Sequence, residues 1–377
     1  MNFHMPTKIL FGSGNVNRLK EIVSGEMNVS KTMIVTDKGI TKSGILDKIL
    51  SQVENAAVFD EIEANPKSGT VNKAGMLARE IKPELVIAVG GGSPLDAGKA
   101  VALLAANDGN IEDYEGKRIY KDPPLPVLAV PTTCGTGSEV TWVSVITDTK
   151  RNFKMSIKGP EMFPEIALVD PDLLISLPQH LIASTGLDAL THAVEAYTVK
   201  PATRFTSPLA LKACELIFSY IERAYNNIKE DIEARKNIML ASTIAGIAFG
   251  NSDVGAVHCI SESVGALFDL PHGVTNSVFL PYVMKFNMSE CSDKYEDIAS
   301  VAGINEKNAE TAARKLIEKI MLLSRDLKIP TFKELGIGKE HFQKIAEFSF
   351  QNNSNPSNPR EAAVKDYLII LKDAVNQ

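Results

Sequence analysis

The stretch Leu85–Ala106, LVIAVGGGSPLDAGKAVALLAA, carries a strand, a turn and a helix in one line. Leu85–Val89 is an apolar run of strand length, rich in Val and Ile, as expected of a parallel strand buried on both faces. Three glycines, Gly90, Gly91 and Gly92, interrupt it. From Pro94 to Ala106 the apolar residues Leu95, Ala97, Ala100, Val101 and Leu104 recur at helical spacing. A strand that passes through glycines into a helix is the repeating joint of a parallel α/β sheet.

The same grammar extends outward. Lys31–Thr36 (KTMIVT), Ala56–Phe59, Val127–Val130 and Ile166–Val169 read as further strands, with helical patterns between several of them. Residues 1–178 are therefore expected to form a doubly wound α/β domain. Beyond Leu177-Pro178 such strand-length runs largely disappear. Long amphipathic patterns replace them at Leu209–Asn226, Ile232–Phe249, Val254–Phe268, Ala309–Leu327 and Arg360–Val375, so residues 179–377 read as an all-helical domain. The polar stretch Gln351–Pro359 (QNNSNPSNP) reads as a surface loop before the last helix.

With 377 residues, the chain is long enough for two proper cores. Its 40 basic and 46 acidic residues give a net charge of −6 with no block of one sign, which speaks against a nucleic-acid surface. No apolar run approaches the roughly 20 residues of a membrane span, and the N-terminus lacks a signal-peptide pattern. Cys134, Cys214, Cys259 and Cys291 match neither a CxxC motif nor a disulfide framework. Reduced thiols in a cytoplasmic protein are the simplest expectation.

The turn at Gly90, Gly91, Gly92, Ser93 and Pro94 can be read in two compatible ways. Glycines let a phosphate approach the backbone, and a helix N-terminus offers unpaired N–H groups. Equally, Ser93 could be an N-cap with Pro94 at the first helical position. The GxGxxG dinucleotide fingerprint is absent. An acid that could bind ribose precedes the turn instead: Asp37, after the KTMIVT strand, could accept a bond from a ribose 2′-hydroxyl and repel a 2′-phosphate, or simply form the TDKG turn.

In the second half, Ser184–Tyr197 (STGLDALTHAVEAY) puts Asp188 and His192 four residues apart on one helical face. Such a pair can be a plain surface contact or half of a metal site. His258, in GAVHCISESVGALF, and His272, in Pro271-His272-Gly273, shift the balance, because both lie in apolar, small-residue surroundings. A buried imidazole needs partners for both nitrogens. One Asp and three histidines form a mixed oxygen and nitrogen donor set suited to Fe(II), Zn(II) or a similar ion.

D-x3-H followed by H-x13-H with Pro-His-Gly resembles the iron-containing (group III) alcohol dehydrogenases, as do GGGSPLDAGK (90–99) and PTTCGTGSEVT (131–141). The resemblance runs from FHMPTKILFGSGN to the NPR near the C-terminus. It implies a dinucleotide-binding domain and a metal domain with the active site in the cleft between them. It implies an NAD(H)-dependent alcohol dehydrogenase or aldehyde reductase acting on a small primary alcohol or diol, with Fe(II) the leading metal and Zn(II) the other candidate. It adds Thr132, Thr133, Thr136, Thr141, Lys154 and Leu181 to the cofactor lining, and Asn65 near the adenosine. Asp96 and Lys99 would lie behind the glycines, Asp96 near the cofactor and Lys99 as a solvated or interdomain charge. It also implies a homodimer, with a strand at Met5–Phe11 crossing between subunits.

One position departs from the family. Many members carry a second His four residues after the third ligand, near the substrate; here that residue is Glu262. Glu262 could relay protons, accept a bond from a ligand imidazole, or form an ion pair. Phe249, Trp142 and Val143 are candidate pocket walls or plain core. The rival reading is a metal-dependent lyase of the dehydroquinate synthase type on the same scaffold. Such enzymes take phosphorylated substrates and would need clustered Lys and Arg, whereas Lys285 is the sole Lys or Arg in 245–287.

Overall fold

The computed structural model describes residues 3–375. The chain divides into two compact units, one from His4 to Leu177 and one from Pro178 onward that also takes Phe3. The first is α/β and the second is helical.

The strands of the first unit, in chain order, are β1 Lys8–Phe11, β2 Thr32–Val35, β3 Ala56–Phe59, β4 Leu85–Gly90, β5 Gly116–Lys117, β6 Val127–Pro131, β7 Val143–Asp148, β8 Phe153–Lys158 and β9 Ile166–Val169. The main helices between them are α1 Lys38–Ser43, α2 Ile45–Leu50, α3 Ser68–Ile81 and α4 Gly92–Ala106. Among the described residues, six strands form a parallel sheet in the order β1-β9-β6-β4-β2-β3. Every residue of β4 is buried, because its alternate side chains feed two different cores. Val86 and Ala88 join Met33, Val35 and the α4 residues Leu95, Ala97 and Val101 on one face. Leu85, Ile87 and Val89 join Ile34, Ile45, Ile49 and Leu128 on the other. Each fully buried Val, Leu or Ile contributes about 1.5–3 kcal/mol.

The N-terminal strand begins at Lys8, later than the expected Met5. All of Lys8–Phe11 pairs in register with Ile166–Val169, and β1 is an edge strand of the sheet, bonded along one side. A second sheet, β5-β8-β7, has no counterpart in the sequence reading. Its β7–β8 hairpin pairs Val143 with Lys158 through to Asp148 with Phe153.

The helical unit comprises α5 Gln179–Thr198, α6 Thr206–Asn227, α7 Ile232–Gly250, α8 Ala256–Phe268, α9 His272–Val301, α10 Ala309–Asp326, α11 Phe342–Gln351 and α12 Val364–Val375. The longest, α9, contains Pro281, a residue that normally marks a boundary and hides a helix of 30 residues from sequence reading. Residues 351–359 are no simple surface loop. Asn358 is fully buried, accepts from Ala256 N at 3.1 Å, and exchanges amide bonds with Asn287 at 3.0 and 2.8 Å. The asparagines serve as internal partners for a helix start that would otherwise be unsatisfied.

Candidate functional site

Three helices bring the four proposed ligands together. Asp188 and His192 lie one turn apart on α5, His258 is in the first turn of α8, and His272 opens α9. One donor atom from each falls within 4.8 Å of all the others. The side chains of Asp188, His192 and His258 are at most 5% exposed, while His272 is 25% exposed and forms the open side. Phe249, on α7, stacks on His192 with ring centroids 4.4 Å apart.

The arrangement fits a cation. His258 Nε2 faces His192 Nε2 at 2.9 Å. His258 donates from Nδ1 to Glu195 Oε2 at 2.5 Å, which leaves the Nε2 lone pair directed into the cluster. The Asn276 amide nitrogen is 2.7 Å from Asp188 Oδ1 and 3.1 Å from both His258 Nε2 and His272 Nε2, while its buried Oδ1 has no partner among the described residues. One divalent ion could satisfy an Asp and three histidines packed this closely. Burial disfavours a charged His258, but the Glu195 bond together with the charges of Glu195, Asp188 and Glu262 outweighs it and holds the ring pKa above the ordinary imidazole value.

Glu195 and Asn276 are absent from the sequence-derived site. Glu195 also accepts from Val257 N at 2.8 Å, so it pins both the ring and the backbone of α8. Its signal was available: it lies seven residues after Asp188, two turns on along one helix face. Asn276 lies four residues after His272, where the same spacing applies.

Glu262 stands outside the four-residue cluster, one turn beyond His258. Its Oε2 accepts from Asn352 Nδ2 at 2.6 Å. Glu195, not Glu262, is the acceptor for the His258 ring, and among the described residues no Lys or Arg pairs with Glu262.

In the α/β unit the predicted residues gather at the β4–α4 joint, with differences. The cap of α4 is Gly91, not Ser93: Leu95 N reaches Gly91 O at 3.2 Å, so the helix starts at Gly92. Pro94 becomes its third residue, still within the first turn where no N–H is needed. Gly90 has φ +144°, and a Cβ there would come within 2.6 Å of Pro94. At Gly92 a Cβ would meet Thr136 Cγ2 at 2.5 Å, and at Gly91 Thr133 Cγ2 at 3.2 Å. Thr133 and Thr136 therefore lie against a turn that glycine keeps open. Thr132 N donates to Gly90 O at 2.9 Å.

Asp37 caps α1, accepting from Ile40 N at 2.9 Å, and its other oxygen lies beside Gly90. Lys154 donates to Asn65 Oδ1 at 2.8 Å. Asp96 turns inward, accepting from Ser138 Oγ at 2.5 Å and Val145 N at 3.0 Å. Lys99 is no solvated charge. It is 1% exposed, pairs with Asp96 at 3.1 Å, and donates to Ser138 O, Thr141 Oγ1 and Val143 O. Burial holds its pKa below the usual lysine range, with Asp96 opposing. Its carbonyl acceptors tie α4 to the 138–143 segment, a role that no spacing rule reveals. Leu181 belongs to the helical unit, in the first turn of α5.

A parallel α/β unit with a glycine turn at a helix start, and a helical unit with a cluster of one aspartate and three histidines, carry the two elements that a metal-dependent dehydrogenase requires. The chain belongs to the iron-containing alcohol dehydrogenase family: residues 6–171 match the model of iron-containing alcohol dehydrogenase, and 182–375 that of its C-terminal domain. It is 36% identical to the NAD-dependent methanol dehydrogenase of Bacillus methanolicus, over 99% of this chain and 100% of that one. It is 35% identical to choline dehydrogenase of Bacillus subtilis (strain 168), covering 99% and 95%. A crystal structure of 1,3-propanediol oxidoreductase superposes with a TM-score of 0.94 at 35% identity, covering 99% of both chains. The protein is an oxidoreductase acting on CH–OH groups, and no helix among its described residues is long and apolar enough to cross a membrane.

Proposed function

We propose that Asp188, His192, His258 and His272 hold one divalent cation, Fe(II) first and Zn(II) as the other candidate. The β4–α4 turn then receives NAD(H), with Asp37 selecting it over NADP(H), and the substrate is a small primary alcohol or the matching aldehyde. The observation that carries this reading is the convergence of four donor atoms within 4.8 Å of one another, three of them on buried residues. When bound, the cation supplies Lewis-acid polarisation of the substrate oxygen and the nicotinamide carries the hydride. The chain's own residues do the rest. Glu195 fixes the tautomer and angle of His258, and Phe249 packs on His192 and limits water there. The first-turn N–H groups of α4 would hold the diphosphate, and the Asp37 carboxylate would accept from the ribose and repel a 2′-phosphate. The cysteine usage supports a cytoplasmic location, and the family resemblance a homodimer.

The test is an anaerobic preparation assayed for bound metal and for NADH formed from a panel of small alcohols, beside His272→Ala. Turnover that requires Fe(II) or Zn(II) and is lost in the variant supports the reading. A folded protein that retains no metal sinks it.

A further inference from the structure

The charges near the cluster do not balance. Asp188 and Glu195 are both buried beside the histidines, and together they match the two positive charges of the proposed cation. Glu262 is a third carboxylate, one turn beyond His258 on α8, so its backbone is displaced about 6 Å along the helix axis. It is only part-buried, although its neighbours Ser261 and Ser263 are buried. One of its oxygens accepts from the Asn352 amide, and the other takes no bond from the described residues.

Asn352 is itself held so as to make this contact. The residue is 7% exposed, and its Oδ1 accepts from Ser354 N at 2.9 Å, which fixes the amide with its NH2 toward Glu262.

We propose that Glu262 is a specificity-determining residue, and that this site selects alcohols bearing an ammonium group two or three carbons from the carbinol. The proposal rests on the reading above, in which the cluster of Asp188 and the three histidines is the reaction centre. His258 and Glu262 share one face of α8 about one helical turn apart, a span that a short spacer between an alcohol oxygen at the cluster and an ammonium at Glu262 would bridge. Anionic alcohols are disfavoured by the same charge.

Three alcohols of equal chain length test this with the metal-loaded enzyme at pH 7: 3-aminopropan-1-ol, propane-1,3-diol and butan-1-ol, which end in ammonium, hydroxyl and methyl. The expected order of kcat/KM is ammonium, then hydroxyl, then methyl. The first exceeds the last by about tenfold or more, as expected of a single charge at this range. Glu262→Gln lowers kcat/KM for the ammonium alcohol about tenfold more than for butan-1-ol, and Asn352→Ala gives part of that selective loss. Calorimetric affinities of the same compounds for wild type and Glu262→Gln follow the same order. Butan-1-ol or the diol as the best substrate overturns the proposal. So does a Glu262→Gln loss equal for all three, which is what a proton relay predicts. If none of the alcohols is oxidised, the proposed function fails, and the binding order alone decides the role of Glu262: a wild-type preference for the ammonium compound that Glu262→Gln removes supports it, and equal affinities overturn it.

Discussion

In the helical unit, four side chains from three helices converge on one small buried volume. In the α/β unit, the residues around the glycine turn are already engaged in the scaffold. Asp37 caps a helix, Lys154 is bonded to Asn65, and Asp96 braces Ser138, Val145 and Lys99. One site is made of side chains and the other mainly of backbone kept open by glycine. A single side-chain deletion should therefore empty the first while leaving the fold intact. In the second, binding and stability should move together.

The sharpest test of that contrast is His192→Ala. We expect bound metal to fall to trace levels by elemental analysis, and kcat/KM to drop roughly 10^3-fold or more, the scale of several kcal/mol of lost polarisation. The far-UV circular dichroism spectrum should be unchanged. A variant that unfolds instead would make the cluster a structural core and erase the distinction. Glu195→Gln comes next. It keeps the volume but weakens the bond to His258 Nδ1, so metal affinity should fall about 10- to 100-fold, read by competition with a chelator. Full affinity in that variant would mean that Glu195 serves only the backbone of α8.

The same contrast explains what the sequence discloses. Asp188, His192, His258 and His272 stand out because polar, ligating residues in apolar helix faces have few structural uses. The parallel sheet is legible because β4 and its neighbours are almost wholly apolar, a consequence of burial on both faces. Lys99 reads wrongly as a solvated charge because lysine is rarely buried, and its acceptors are carbonyls about 40 residues away that spacing cannot reveal. The buried asparagines near 352–358 mislead for a related reason: turn-forming polar residues look alike whether they face water or an orphaned helix start. Helix α9 is hidden by Pro281, and the β7–β8 hairpin by the mixed polar and apolar residues of its strands.

On the backbone-built side, Gly92→Ala is the direct probe. Its Cβ would lie 2.5 Å from Thr136 Cγ2, a clash that costs about 1–3 kcal/mol in stability and should weaken NADH binding by a similar free energy. Adding Thr136→Ser removes that methyl group. If binding and melting temperature recover together, the turn is one packed element serving both purposes. If only stability recovers, the methyl was itself a contact for the cofactor.

The smallest expected effect separates the two roles of Asp37. Asparagine caps helices about as well as aspartate, so Asp37→Asn should keep the bond from Ile40 N and shift stability by well under about 1 kcal/mol. It removes only the charge. If the carboxylate repels a 2′-phosphate, the ratio of kcat/KM for NADPH over NADH should rise about tenfold in Asp37→Asn, since one unit charge near a phosphate is worth about that much at a partly exposed site. Asp37→Ala should show the same change in cofactor preference plus about 1 kcal/mol of lost stability from the missing cap. An unchanged preference in both variants, with stability lost only in the alanine form, would reduce Asp37 to a helix cap, and cofactor selection would have to come from another part of the turn.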